Sequence, residues 1–183
     1  IGDSKQAKAD LEITAPRGAS FEARGRYGDF DIVDLAGRVE ITSDNAGVRA
    51  QNLGGNFRAE LKRSDIVRVV NSKGSVGLSG RGGDVELENI EGEVTVNGSF
   101  YGELTFRNLA KPVRFDSQQS NFRMEKIAGQ MRLTPGHLSG NNLTGPIIMS
   151  TRSKDLELSD FSQSLELTVD RGDITLRPGR MPL

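Results

Sequence analysis

The apolar residues of this chain keep one set of intervals through most of its length. Val85, Leu87, Ile90, Val94 and Val96 are separated by 2, 3, 4 and 2 residues, with polar residues between them. The same intervals run through Phe30 to Ile41, Val48 to Ala59, Val67 to Leu78, Leu104 to Phe115, Phe122 to Leu133, Leu138 to Met149 and Leu156 to Leu167. Alternation at period two predicts short strands with one buried face, two to a unit. No segment sustains a helical period. A partial unit opens the series at Leu11, Ile13 and Pro16, and another closes it at Ile174 and Leu176.

A polar column runs in register with the apolar one. Asp34, Asn52, Asn71, Asn89, Asn108, Asn142 and Asp160 hold it, with Lys126 at the missing step and intervals of 18, 19, 18, 19, 18, 16 and 18 residues. A glycine often follows three positions later, as at Gly37, Gly55, Gly74 and Gly92. Asn tolerates the left-handed backbone region and Gly enters it without a Cβ penalty, so the pair predicts a corner between the two strands. Stacked side chains in this column would bond one to the next as a buried ladder. Lys126 accepts no hydrogen bond, and must turn to solvent or break the ladder.

One two-strand unit cannot bury its own apolar face, but copies stacked along an axis close a continuous core. The pattern therefore predicts an all-β, single-domain parallel β-solenoid of about eight coils of about 18 residues. At ~4.8 Å per strand the stack is roughly 40 Å long. The intervals do not fit a strict six-residue repeat, which argues against a left-handed hexapeptide helix, and parallel crossovers favour the right hand. The repeat domain is expected at 11–176, after a polar extension or cap at 1–10 and before a Pro-containing tail at 177–183.

Units such as Gly83-Asp84-Val85-Glu86-Leu87-Glu88-Asn89-Ile90-Glu91-Gly92-Glu93-Val94-Thr95-Val96 and Gly28 to Ile41 resemble the bacterial adhesin-like family of DUF4097 β-strand repeats, related to auto-transporter adhesin head domains. The resemblance covers nearly the whole chain, from about Leu11 to Leu176. It implies a β-helix-like roll in a cell-envelope or secreted protein, and it brings no catalytic residues with it. Lys111, Lys126 and Gln163 depart from the pattern but keep the apolar spacing.

Composition narrows the chemistry. The 183 residues include 22 Gly, no Cys and no Trp, and only 5% are aromatic, which suits a thin repetitive core. With 24 basic against 25 acidic residues, strong attraction to nucleic acid is not expected. No apolar run approaches the ~20 residues of a membrane span. Because the chain begins at Ile1, we read it as mature or trimmed, with a membrane attachment only through a segment absent from it.

Candidate chemistry is sparse. The Asn column reads as structural. Asp29, Asp31, Asp84, Glu86, Glu88, Glu91 and Glu93 are the carboxylates an acid/base pair would draw on, but they fall at outward positions where charge is ordinarily solvated. Glu40 and Arg58 are expected as neighbours across coils. His137, the sole histidine, lacks partners for a metal and reads as a turn residue after Pro135-Gly136. Gly82-Gly83-Asp84 does not recur at the nine-residue spacing of calcium-binding solenoids. Arg171-Gly172-Asp173 spells an integrin tripeptide, but it sits at a turn before the last strand. Phe100-Tyr101 is an aromatic pair where other coils carry small polar loops; it could stack on a sugar or fold back over the core.

The sequence thus points to a non-catalytic scaffold without cofactor or metal, binding a surface glycan or protein, with end-to-end homodimers available through its strand edges. A polysaccharide lyase or glycosidase on a β-helix, and a membrane-tethered structural or sensory envelope domain, are the alternatives.

Overall fold

In the computed structural model, which describes residues 10–180, the chain is an all-β solenoid of about nine turns spaced about 18 residues apart. Its eighteen strands form two nine-stranded sheets facing each other across the core. The first sheet contains β1 (Phe21–Tyr27), β3 (Val39–Asn45), β5 (Phe57–Leu61), β7 (Val76–Gly82), β9 (Val94–Phe100), β11 (Val113–Asp116), β12 (Ser120–Met124), β15 (Ile147–Thr151) and β17 (Leu165–Val169). The second contains β2 (Phe30–Val33), β4 (Val48–Leu53), β6 (Ile66–Ser72), β8 (Asp84–Ile90), β10 (Leu104–Leu109), β13 (Lys126–Leu133), β14 (His137–Thr144), β16 (Asp155–Phe161) and β18 (Ile174–Arg177).

The interval pattern finds its cause in the core. Val85, Leu87, Ile90, Val94 and Val96 are all buried, as are their counterparts in the second, fifth, sixth and seventh coils, where Gly140 takes one apolar position. In the third coil Ser72 takes the inward position and donates its hydroxyl to Gly74 O at 3.3 Å. The ends are thinner. Leu165 and Leu167 are half-buried, and Ile174 and Leu176 are exposed although they pair in register with Leu156 and Leu158. Leu11 and Ile13 are exposed and lie in no strand, so the first strand is β1, which carries Phe21 and Ala23 inward. The cap expected at 1–10 lies outside the described residues except for Asp10.

The corner reading is right for Asn and needs correction for Gly. Asp34, Asn52, Asn71, Asn89, Asn108, Asn142 and Asp160 all take positive φ, between 50° and 58°. Gly37, Gly55, Gly74 and Gly92 do not. A Cβ at Gly55 would lie 2.4 Å from Gly37 O, and one at Gly74 2.3 Å from Gly55 O. These glycines exist because successive corners touch, backbone on backbone.

The parallel stack also needs one correction. Twelve strand pairs are parallel, but β12 and β13 run antiparallel to every neighbour they have. After β11 the chain turns back through Gln118-Gln119, closed by Ser117 N–H to Ser120 O at 3.1 Å, and climbs the first sheet the other way. It crosses to β13 and turns again through Pro135-Gly136, closed by Thr134 N–H to His137 O at 2.8 Å. The sixth coil is therefore traversed backwards.

Reversal is possible because the apolar spacing is nearly a palindrome. Read backwards, 2, 3, 4, 2 becomes 2, 4, 3, 2, so Leu133 and Met131 still meet Leu104 and Phe106, and Ile127 still meets Leu109. The one-residue mismatch appears as a register shift at Ala128-Gly129, a β-bulge. Gly129 is needed there, since a Cβ would lie 2.4 Å from the backbone oxygen of Asn141. Phe106, Phe115 and Phe122 cluster across this junction, the last two stacked at 5.1 Å and Phe106 edge-on to both.

Candidate functional site

The polar column forms a one-way ladder. Asn52 Nδ2 donates to Asp34 Oδ1 at 2.9 Å, Asn71 to Asn52 at 3.2 Å, Asn89 to Asn71 at 3.0 Å and Asn108 to Asn89 at 2.7 Å. Each amide donates toward the N-terminal end. An Asp fits the first step, which only accepts; at Asp160 the same polarity would require donation, which a carboxylate cannot supply. At Lys126 the ladder is interrupted, because the reversed coil reaches its corner without a left-handed residue. Contrary to expectation these side chains are exposed or, at Asn89, half-buried. They hold corners in register on an open edge.

The carboxylates are dispersed. Asp29 Oδ1 accepts Gly47 N–H at 2.8 Å, Asp84 Oδ1 accepts Glu103 N–H at 2.8 Å, and Asp155 Oδ1 accepts Asp173 N–H at 3.0 Å, so these three tie one coil's turn to the next. Asp31 pairs with Arg49, Glu86 with Arg68 at 2.9 Å and Glu88 with Arg107 at 3.0 Å on the outer faces. Glu91 and Glu93 are exposed at a corner. Glu40 and Arg58 are opposite each other in register, yet Glu40 forms its ion pair with Arg38. The Arg132 guanidinium donates to Glu103 and holds that carboxyl below its ordinary pKa. These exposed pairs contribute little to stability.

His137 opens β14 half-buried rather than standing in a free turn. Arg171-Gly172-Asp173 is a turn pinned by its backbone: Arg171 O accepts Lys154 N–H at 3.0 Å, and Asp173 O accepts Leu156 N–H at 2.8 Å. Among the described residues no group of three or more His, Asp or Glu could hold a metal ion.

The aromatic pair lies beside a place where the coil's edge is open. An ordinary coil closes opposite the Asn corner by crossing from the first sheet to the second. The segment 101–103 does so after β9, and 152–154 does so after β15. Between them the chain doubles back in two hairpins, and no described backbone crosses. The result is a cleft of about 220 Å³, lined by Phe100 at the end of β9, Tyr101 from one crossing, Gln118, Gln119 and Pro135 from the hairpins, and Lys154 from the other crossing. Leu104, Phe115 and Leu133 also line it, so it opens on the core.

Backbone bonds hold the walls. Tyr101 N–H donates to Gly82 O at 2.8 Å and Gly102 N–H to Gly83 O at 3.2 Å. Arg152 N–H donates to Gln119 O at 2.9 Å and Asp155 N–H to Gly136 O at 3.0 Å, which fastens the second crossing to both hairpin tips. Phe100 is half-buried against the core, whereas Tyr101 is 66% exposed. The two residues the sequence offered thus divide: one folds back and the other stands at the rim.

Lys154 escaped the sequence reading. The residue is nearly buried, with 6% exposure. Its ammonium donates to Thr134 O and to Pro135 O, the latter at 3.0 Å, and burial pushes its pKa down. In sequence it is one more polar loop residue; only the Pro135-Gly136 hairpin folding beside it makes it a buried cation.

No family model, curated protein or solved structure matches this chain. Its function therefore has to be argued from the cleft.

Proposed function

We propose that this protein is a non-catalytic binding scaffold of the cell envelope or extracellular space, and that the cleft beside Tyr101 takes a glycan. The observation that carries this reading is the cleft's chemistry: an exposed aromatic ring, the side-chain amides of Gln118 and Gln119 and an apolar floor. Sugars are bound by such a mixture, with a ring face against the aromatic and hydroxyls bonded to amides. The carboxylates a lyase or glycosidase would use cap backbone, form surface ion pairs or stand at corners, and none of them lines the cleft. The adhesin-like role and envelope location rest on the repeat's resemblance to the DUF4097-type family.

Screening the purified chain on a glycan array tests the reading. Binding to a defined glycan set is expected, and Tyr101→Ala should weaken it about tenfold. Glycan binding that survives both Tyr101→Ala and Gln118→Ala unchanged would move the site elsewhere on the solenoid.

A further inference from the structure

Lys154 is the sole charged residue among those lining the cleft. An ammonium has three donors and no acceptor. Two of its hydrogens face the carbonyl oxygens of Thr134 and Pro135, which are neutral and leave the charge itself uncompensated. Among the described residues no carboxylate forms an ion pair with Lys154. A nearly buried cation without an anion is costly, and the chain could avoid that cost with an apolar residue of similar length. Burial already lowers its pKa, consistent with a charge short of solvent.

The surroundings specify what would complete it. A single ammonium with one hydrogen to spare matches one monoanionic carboxylate; a phosphate dianion is ordinarily met by several cationic or backbone donors. The rim residue Tyr101 and the amides of Gln118 and Gln119 suit a sugar ring. We propose that the cleft binds acidic saccharides, the ligand's carboxylate pairing with the Lys154 ammonium while its ring lies against Tyr101. This rests on the glycan-binding reading above and adds the class of glycan.

The test compares uronic acid trimers with their methyl esters, which keep the sugar and remove the charge, by calorimetric titration of the wild-type chain and Lys154→Met. The acid should bind the wild-type protein at least about tenfold more tightly than its ester, the worth of one hydrogen bond to a charged group. Lys154→Met should lose that preference while still binding the ester. Lys154→Arg should retain part of it. Equal affinity of wild type for acid and ester, or an acid preference that persists in Lys154→Met, overturns the acidic class and leaves glycan binding standing. Failure of the wild type to bind any saccharide on the array or in the titration overturns both. Should Lys154→Met lose its native circular dichroism, the acid-against-ester comparison on the wild type decides alone.

Discussion

The first five coils and the sixth carry the same apolar intervals, yet the chain runs through them in opposite directions. In the first five the strands run parallel to one another, each corner is turned by an Asn or Asp at positive φ, and the chain crosses the far edge between successive coils. In the sixth the strands are antiparallel, the corner holds Lys126 with no left-handed residue, and the far edge is left open. The core tolerates either direction because side-chain burial depends on alternation, which has no polarity. The corners do not, because a left-handed residue and a donor–acceptor ladder both have a sense along the chain. The cleft beside Tyr101 arises where that sense is broken.

The largest test removes one coil or the other. Deleting 85–103 takes out a forward coil and should leave a folded chain that keeps the cleft walls beyond it, because contacts run only between neighbours. Deleting 120–135 takes out the reversed coil. The 34 residues from Asn108 to Asn142 then become 18, the ordinary period, and every inward residue of the fifth coil falls 18 positions before its counterpart in the seventh. That variant should fold as an uninterrupted parallel stack, with Asn142 donating to Asn108 and the cleft closed. An unfolded product by circular dichroism would mean that the hairpins are required for the stack.

Single substitutions give smaller effects. Leu109→Ala, at a fully buried position between a parallel and an antiparallel neighbour, should cost ~2–5 kcal/mol in denaturant unfolding. A change of a few tenths would displace Leu109 from the core. Asn71→Ala should cost about 1 kcal/mol by removing the amide that makes two ladder bonds and eases the left-handed backbone, and Asn71→Gly less, because glycine takes that conformation without a Cβ penalty. Lys126→Asn should move stability by no more than ~0.5 kcal/mol, because the reversed corner has no left-handed site for an amide to occupy. Stabilisation comparable to the Asn71 loss would show a corner like the others.

The smallest effect is in the pH dependence. Burial lowers the folded-state pKa of Lys154. Between that lowered value and about 10.4 the unfolded chain holds a proton that the folded chain has released, so stability gains from this group as pH rises through the window. Unfolding midpoints of wild type and Lys154→Met should therefore converge as pH approaches 10. Parallel curves would mean that the ammonium is as well solvated folded as unfolded.

The solenoid was legible because its determinants are periodic: alternation, the Asn corner and the apolar intervals each repeat in every coil. The reversal was hidden because Phe122 to Leu133 repeats the same intervals. Its traces were Lys126 in the Asn column and the contraction to 16 residues before Asn142, where Pro135-Gly136 makes a tight turn. The role of Gly55 and Gly74 was misread because intimate backbone contact between coils leaves the same sequence mark as positive φ. At the cleft, Phe100-Tyr101 stood out as aromatic where loops are polar. Lys154 did not, since a lone lysine in a turn is indistinguishable in sequence from a solvated one.

The two hairpin turns also bear on how the molecule assembles. Every parallel pair joins residues 18 or 19 positions apart, whereas β11–β12 and β13–β14 close through turns of two residues. Loop closure is least costly there, and hairpins form within microseconds. A stack that would otherwise have no preferred starting point thus carries an internal template. Its coils can be added from the middle outward, toward the thin edges at Phe21 and Leu176.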